Sequence, residues 1–285
     1  MELSGQNFEE LSALVRRLCG LVIGQDRMYL VRHRLEPVIR DHGLDGFGHL
    51  LQRLQTRTGS QLHDAIIEAI TTKETSFFRD QGLFHAIQER VLPECVARLM
   101  HPAGKRHRIR LWSAASSTGQ EAYSLAMLVR ELVEAENFRN LPESRFSILA
   151  SDISAQAIET AKTGRYTRSE VARGLSEERL RRHFHHRGNH WILTEPVRRL
   201  VHFRRFNLLQ SPAALGAFDV ILCRNVLIYF DEPTRKRICQ GLQGILQDGG
   251  WLVLGAAESL YGVDDRMETV KVGRMMLYRK PQSAG

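Results

Sequence analysis

Residues 109–124 read IRLWSAASSTGQEAYS, and this stretch decides the fold class of the chain. Its first four residues predict a buried strand, and a helix is predicted from 121 to about 136. The turn between them is rich in small side chains, and Gly119 is its only glycine. Such a unit begins a βαβ fold, in which ligands bind at the carboxyl end of the strand. Since the turn has neither a GxGxxG nor a GK[ST] sequence, it predicts no dinucleotide fingerprint and no phosphate-binding loop.

Alternating strands and helices continue beyond this unit and predict a doubly wound, mostly parallel α/β sheet. One part, residues 166–206, departs from the alternation and is predicted to be an insertion, because it combines a basic helix with short strands. The further predicted strands are 146–150, 191–194, 201–203, 218–223, 251–255 and an edge strand at 270–279, and the further predicted helices are 155–163, 176–184 and 232–246.

The front of the chain has helical periodicity and no strand pattern. Pro37 stands within its second predicted helix and is expected to kink that helix or to begin a new first turn. We therefore predict a small all-helical N-terminal domain at 1–85 and an α/β domain at 86–285, with the insertion at 166–206.

The composition limits the class of protein. Of the 285 residues, 43% are hydrophobic and 25% are charged, which excludes a mostly disordered chain. No stretch approaches the roughly 20 apolar residues of a membrane helix. The polar start, MELSGQNFEE, is no signal or transit peptide, so we expect a cytoplasmic protein without membrane insertion. The four cysteines form no CxxC pair, so neither a disulfide framework nor a metal site is predicted. The net charge of +8 favours an anionic partner, either nucleic acid or an acidic protein surface.

Two acidic residues strengthen the prediction of a ligand site at the first turn. Glu121 begins the first α/β helix, where a carboxylate can pair with an amine. Asp152 follows the second strand, where a carboxylate can accept hydrogen bonds from two ribose hydroxyls. A nucleoside that carries an amino acid and no phosphate needs both, and S-adenosylmethionine has that make-up. The alternative is structural, with Asp152 as a helix N-cap and the small residues as a tight turn.

Residues 71–80, TTKETSFFRD, join the two predicted domains. Their hydroxyls, aromatic pair and arginine suit a lid over a ligand. Alternatively, the segment is purely structural, with Thr75 as a helix N-cap and with Phe77 and Phe78 packed in the core.

Residues 218–230, FDVILCRNVLIYF, place polar groups at the end of a predicted buried strand. Arg224, Asn225 and Tyr229 stand where substrate-facing residues of α/β enzymes lie. Enzymes that methylate DNA amino groups carry an Asp/Asn-Pro-Pro-aromatic sequence at this place. This chain has no proline there, which counts against amino-group chemistry on bases.

Several motifs together resemble one family. In chain order they are TTKETSFFRD, WSAASSTGQEAYSLAM, ASDIS, the pair Asn207-Leu208, FDVILCRNVLIYF and LQDGGWLVLGAAES. They resemble the chemotaxis receptor glutamate methyltransferases of the CheR family over nearly the whole chain. The resemblance implies a helical N-terminal domain, a doubly wound methyltransferase sheet with a small inserted antiparallel β-subdomain, S-adenosylmethionine as methyl donor and S-adenosylhomocysteine as product.

The resemblance also implies the residues of the site. The residues that would line the cofactor site are Lys73, Thr75, Arg79, Glu121, Asp152, Asn207, Leu208, Arg224 and Asn225. Members of the family often have asparagine in place of Lys73, so that contact is the weakest of the set. Arg79 and Tyr229 would lie beside the reaction centre. The acceptor would be a receptor glutamate, which is ionised at neutral pH and needs no general base.

A basic helix surface gains a possible role from the same resemblance. Arg27, Arg34 and Arg40 are predicted to dock the acidic cytoplasmic helical bundle of a chemoreceptor, although a merely solvated surface is the alternative. In some members of the family the insertion grips a receptor tether, and the segment 187–191 looks shorter than in those members, so we expect a tether-independent enzyme. We also expect a monomer. Two other classes stay open: a methyltransferase of RNA or of a small molecule, and a binding module without turnover. No aromatic-rich basic segment is present, which argues against a nucleic-acid partner.

Overall fold

The computed structural model describes residues 1–55, 60–101, 108–138, 140–263 and 266–282. Its helices are α1 Gly5–Cys19, α2 Met28–Asp41, α3 Phe47–Leu54, α4 Ser60–Ile70, α5 Gln81–Ala86, α6 Leu92–Met100, α7 Gln120–Glu134, α8 Ala155–Thr163, α9 Arg168–Ala172, α10 Glu177–His183, α11 Glu195–Arg198 and α12 Glu232–Gly244. Its strands are β1 Ile109–Ala114, β2 Phe146–Asp152, β3 Arg165–Thr167, β4 Phe184–Arg187, β5 His190–Leu193, β6 Val201–Arg205, β7 Phe218–Cys223, β8 Leu246–Leu254, β9 Glu268–Val272 and β10 Met275–Arg279.

Helices α1 to α4 form the predicted N-terminal helical domain around an apolar core of their own. Helix α1 begins after Ser4, whose hydroxyl accepts a hydrogen bond from the backbone N–H of Asn7, and it ends at Gly20 in the left-handed conformation. Helix α2 continues through Pro37 instead of starting anew. Leu35 and Ile39 are fully buried on either side of this proline, and their packing stabilises the helix despite the missing N–H.

The large sheet has seven strands in the order β6-β2-β1-β7-β8-β10-β9. The first five of these strands are parallel to one another. Strand β10 pairs antiparallel with β8, and β9 pairs antiparallel with β10. Neighbouring residues along β1 belong to different cores, since Leu111 packs in the core on one face and Trp112 in the core on the other. All six residues of β7 are buried. Both faces are therefore covered, as the doubly wound prediction requires.

Two strand predictions differ from the structure. Val201–Arg205 pairs in parallel with β2 and forms the edge of the large sheet, so it is not a strand of the small sheet. The small antiparallel sheet has the order β3-β5-β4 and lies within Arg165–Leu193. The final stretch is a hairpin of β9 and β10, because Gly273 has φ +59° and allows the chain to turn back.

Among the described residues, no helix is both long enough and apolar enough to cross a membrane.

Candidate active site

A cavity lies between the helical domain and the carboxyl ends of β1, β2 and β7. It is closed on one side by residues 71–80, which we call the catalytic segment. The predicted site residues that line it are Thr75, Arg79, Glu121, Asp152, Asn207, Leu208, Arg224, Asn225 and Tyr229, together with Arg27 and Arg34 from the helical domain. Lys73 and Arg40 lie outside this lining.

Asp152 occupies the end of β2, as predicted. Its Oδ2 atom accepts a hydrogen bond from the N–H of Ser117, at 2.8 Å, and its Oδ1 atom accepts one from the N–H of Ser154, at 2.9 Å. Burial raises the pKa of Asp152 above its ordinary value, and the hydrogen bonds from these two N–H groups offset only part of that rise. Helix α8 is capped by the hydroxyl of Ser154, which accepts from Ala157, so Asp152 is not the N-cap. Each oxygen of Asp152 retains a lone pair for a further donor.

Glu121 shares a buried cluster with Arg224. Its Oε1 atom accepts from the hydroxyl of Ser113 and its Oε2 atom accepts from Nη1 of Arg224, each at 2.8 Å. The side chain of Arg224 is 1% exposed, and its Nη2 atom also donates to Asp80 and to the carbonyl of Arg79. This cation therefore fastens the catalytic segment to the ends of β7 and α7.

Removal of Arg224 is expected to destabilise the fold. In Arg224→Met, two carboxylates lose their shared cation, and we expect the free energy of unfolding to fall by about 3 kcal/mol. Urea unfolding of the wild type and the variant measures this difference. The double variant Arg224→Met/Glu121→Gln should regain part of the loss, because one uncompensated charge is gone. Equal stability of wild type and Arg224→Met would show that the cluster carries no such energy.

The catalytic segment has no regular secondary structure, and the next helix begins at Gln81, so Thr75 caps no helix. Phe77 and Phe78 are buried in the core, as the structural alternative predicts, while Arg79 lines the cavity. Nη1 of Arg79 donates one long hydrogen bond, 3.5 Å, to the carbonyl of Glu74. Since a guanidinium has five donors, Arg79 keeps donors for a ligand.

Lys73 contributes its backbone to the site. Its carbonyl accepts from the hydroxyl of Ser117 at 3.0 Å, whereas its ammonium pairs with Glu68 at 2.7 Å and donates to Gln156 at 2.8 Å. The predicted cofactor contact through the side chain of Lys73 stays a prediction, and the geometry gives it less support than the others.

Backbone strain concentrates at this cavity. Among the described residues, the non-glycine residues in the left-handed region are Phe78, Asp80, Ala115, Ser117 and Asn225, with φ between 46° and 66°. All of them line the cavity or belong to the catalytic segment. Such conformations cost about 1–3 kcal/mol each and cluster at functional sites.

Glu258 is the support that the sequence reasoning missed. Its carboxylate accepts hydrogen bonds of 2.7–2.9 Å from the N–H groups of Gly255, Asn225, Val226 and Leu227. The loop that carries Asn225 and Tyr229 is therefore held from the end of β8. The motif GAAES marks this position, but nothing local indicates its bonding partners. Asp80, which binds Arg224, was missed for the same reason.

Asn207 ties the two domains together. Its Nδ2 atom donates to the carbonyl of Leu18 in α1 at 2.7 Å, and its Oδ1 atom accepts from the N–H of Leu209 at 3.0 Å. A second tie is the 2.9 Å bond from the N–H of Val22 to the carbonyl of Tyr229. The helical domain is thus part of the cavity wall.

The three predicted docking arginines differ in their surroundings. Arg27 precedes α2 and is exposed, and Arg40 lies exposed in its last turn. Arg34 is half-buried, since its Nη1 atom donates to the carbonyl of Ile70 at 2.5 Å and its Nη2 atom lies 3.5 Å from the hydroxyl of Thr72. Arg34 therefore caps the end of α4, where the catalytic segment begins, and is less available to a partner than the other two.

The residues of the cavity fit S-adenosylmethionine. Asp152 can accept from ribose hydroxyls, Glu121 can accept from the amino group, and small residues at Ala115 and Ser117 leave room beside the backbone. Within the described residues, no three His, Cys, Asp or Glu side chains are grouped to hold a metal ion.

This fold and this site define a methyltransferase that uses S-adenosylmethionine, and sequence comparison agrees. Residues 73–276 match the family model described as the CheR methyltransferase SAM binding domain, and residues 6–71 match the CheR methyltransferase all-alpha domain. The chain therefore belongs to the CheR methyltransferase family. It is accordingly a protein-glutamate methyltransferase that acts in chemotaxis, and the resemblance inferred from the motifs is confirmed.

Curated relatives span the same length. The chain is 39% identical over 280 residues to chemotaxis protein methyltransferase 1 of Pseudomonas aeruginosa, covering 98% of this chain and 99% of that one. It is 39% identical to the chemotaxis protein methyltransferase of Vibrio anguillarum, covering 97% and 98%. Identity to the chemotaxis protein methyltransferase of Escherichia coli is 32%, covering 93% and 88%.

Proposed function

We propose that this cavity transfers the methyl group of S-adenosylmethionine to glutamate side chains on the cytoplasmic helical bundle of a chemoreceptor, giving methyl esters. The observation that carries the proposal is the meeting of Asp152, Glu121, Arg79 and Tyr229 around one cavity that opens beside the helical domain. The enzyme would work in the cytoplasm as a monomer. Its domain boundaries are proposed near residue 85 and, for the insertion, at 165–193 instead of 166–206, because 201–205 belongs to the large sheet.

The mechanism needs little from the protein beyond positioning. When bound, S-adenosylmethionine supplies an electrophilic sulfonium methyl group. A glutamate has a reference pKa near 4.3, so the acceptor carboxylate is already a nucleophile at neutral pH and no general base is required. Arg79 would orient either this carboxylate or the carboxylate of the cofactor, and Tyr229 would donate a hydrogen bond beside the reacting atoms. Alignment of the reactants would supply most of the rate enhancement.

Tyr229→Phe tests the role of the hydroxyl group. The variant keeps the ring and loses one hydrogen bond in the transition state, so we expect kcat to fall about tenfold. Steady-state kinetics with a receptor fragment measure this change, and S-adenosylhomocysteine affinity should change far less. Full turnover by Tyr229→Phe would remove the tyrosine from the mechanism.

The receptor surface is proposed to dock on the basic surface around α2. Because Arg27 is exposed at the cavity mouth, Arg27→Glu should lower kcat/KM for a receptor fragment about fivefold at low ionic strength. The difference should shrink as salt screens the exposed charges. Arg237→Glu, an exposed arginine of α12, is the matched control of equal charge change. Equal losses in both variants would mean that only net charge matters.

Methyl transfer to receptor cytoplasmic fragments tests the proposed function. Labelled S-adenosylmethionine should place label on the receptor, and mild base should release it as methanol, because a carboxyl methyl ester is base-labile. Label that resists base, or label in RNA, would overturn the proposal. Cofactor binding without transfer to any receptor fragment would favour the binding-module alternative.

A further inference from the structure

The catalytic segment is held from two sides. On the side of the large sheet, the hydroxyl of Ser117 donates to the carbonyl of Lys73, and the N–H of Phe78 donates to the hydroxyl of Ser124 at 2.9 Å. On the other side it touches the part of the chain at 165–193, which contains the small sheet with α9 and α10 and which we call the inserted subdomain.

The catalytic segment and the inserted subdomain meet through aromatic rings and through a direct contact between their backbones. The ring of Phe77 packs edge-on against Tyr166 and Phe184, with centroids 4.9 Å and 5.5 Å away. Gly174 lies so close that a Cβ atom at this position would stand 1.8 Å from the carbonyl oxygen of Phe77. Its φ of +93° also suits only glycine. The two backbones are therefore in direct contact.

Arginine contacts flank these aromatic and backbone contacts. The guanidinium of Arg179 lies 3.9 Å from the ring centroid of Phe78, while its Nε and Nη2 atoms donate to Glu131 of α7 at 2.7 Å and 2.8 Å. Burial raises the pKa of Glu131, but the hydrogen bonds from Arg179 outweigh it and hold the pKa at about 2. Glu131 is thus ionised at every pH of interest, and it keeps Arg179 stacked on Phe78.

A second arginine reaches the start of the segment. Arg173 pairs with Glu74 at 2.5 Å, in an exposed ion pair whose side chains are 59% and 56% accessible. Glu74 is also the residue whose carbonyl accepts the hydrogen bond of Arg79. The subdomain therefore contacts the segment at 74, 77 and 78, on the approach to Arg79.

We propose that the inserted subdomain positions the catalytic segment for methyl transfer, with Arg179 and Arg173 as positioning residues that act on Arg79 through Phe78 and Glu74. The inference rests on the proposed function. Phe78 and Asp80 flank Arg79 in left-handed conformations, which persist only where the surroundings enforce them. Loss of the stacked Arg179 lets the segment relax and moves Arg79 from its place in the cavity.

The test compares two arginines of the same helix, with Arg179→Met combined with Glu131→Gln to avoid an unpaired buried carboxylate and Arg182→Met made in the otherwise unchanged protein. Arg179 contacts the segment, whereas Arg182 pairs with Glu134 of α7. We expect Arg179→Met to lower kcat about tenfold, since small misplacements of reacting groups are costly. The Kd for S-adenosylhomocysteine should change in the same direction as in Arg79→Ala, and it should rise less than threefold if Arg79 orients the acceptor glutamate. Arg182→Met should keep kcat within twofold.

Each outcome decides the proposal. Equal kcat values for the Arg179 and Arg182 variants would overturn it. A fall in the unfolding midpoint that accompanies the fall in kcat would also overturn it, since that indicates general damage. If circular dichroism shows that the Arg179 variant does not fold, Arg173→Ala carries the test at an exposed pair, with an expected threefold fall in kcat at an unchanged unfolding midpoint. A wild-type enzyme that methylates no receptor fragment would instead overturn the proposed function.

Discussion

Asp152→Ala should weaken the binding of S-adenosylhomocysteine by at least about 100-fold. The carboxylate is proposed to accept hydrogen bonds from both ribose hydroxyls, and each hydrogen bond to a charged group contributes about 1.5–3 kcal/mol. Isothermal titration calorimetry measures the loss directly. A thermal shift gives an independent reading, because ligand at 100 times its Kd stabilises the wild type by about 2.7 kcal/mol and should leave the variant almost unchanged.

The control for this prediction is a nearby acid of the interdomain contact. Asp64 in α4 pairs with Arg205 at the end of β6 and does not line the cavity. Asp64→Ala should therefore bind S-adenosylhomocysteine like the wild type. Asp152→Ala also removes an acceptor from Ser117 and Ser154, so the unfolding midpoint without ligand must be compared. A folded Asp152→Ala protein with wild-type affinity would contradict the assignment of the ribose site.

Arg79→Ala should lower kcat/KM for a receptor fragment by 100-fold or more. The guanidinium lines the cavity and can hold a carboxylate with two parallel hydrogen bonds, whose loss costs roughly 3 kcal/mol or more. Arg79→Lys keeps the charge but not the paired geometry, so we expect a loss of about tenfold. Steady-state kinetics of both variants measure these ratios.

The binding of S-adenosylhomocysteine separates the two roles open to Arg79. If Arg79 holds the carboxylate of the cofactor, the Kd should rise together with the loss of activity. If it orients the acceptor glutamate, the Kd should stay near the wild-type value. Arg181→Ala, an exposed arginine of α10, serves as the control and should leave both quantities unchanged. Wild-type kcat/KM in Arg79→Ala would exclude Arg79 from the reaction.

The sequence predicted those features whose signal is local. The apolar run at Phe218–Cys223 indicated a buried central strand, and all six of its residues are buried. Glu121 and Asp152 could be singled out because each directly follows a strand or a turn, and the carboxyl ends of parallel strands meet at one edge of a sheet. The structure brings both to one cavity, as expected from that topology.

Features that depend on pairing between distant segments could not be predicted in the same way. Arg224 and Asp80 are 144 positions apart, and nothing near Asp80 indicates its partner. Val201–Arg205 has the pattern of a short strand, but only the fold shows that it pairs with β2. The contacts of Arg179 with Phe78 and Glu131 likewise depend on where the insertion packs.

A crystal structure of the protein with S-adenosylhomocysteine tests the central claim most directly. The account predicts ribose hydroxyls within hydrogen-bond distance of Asp152, the amino group at Glu121, and the sulfur atom beside Arg79 and Tyr229 with open space towards the helical domain. A nucleoside bound elsewhere, or a sulfur atom sealed from the surface that carries Arg27, would contradict the account.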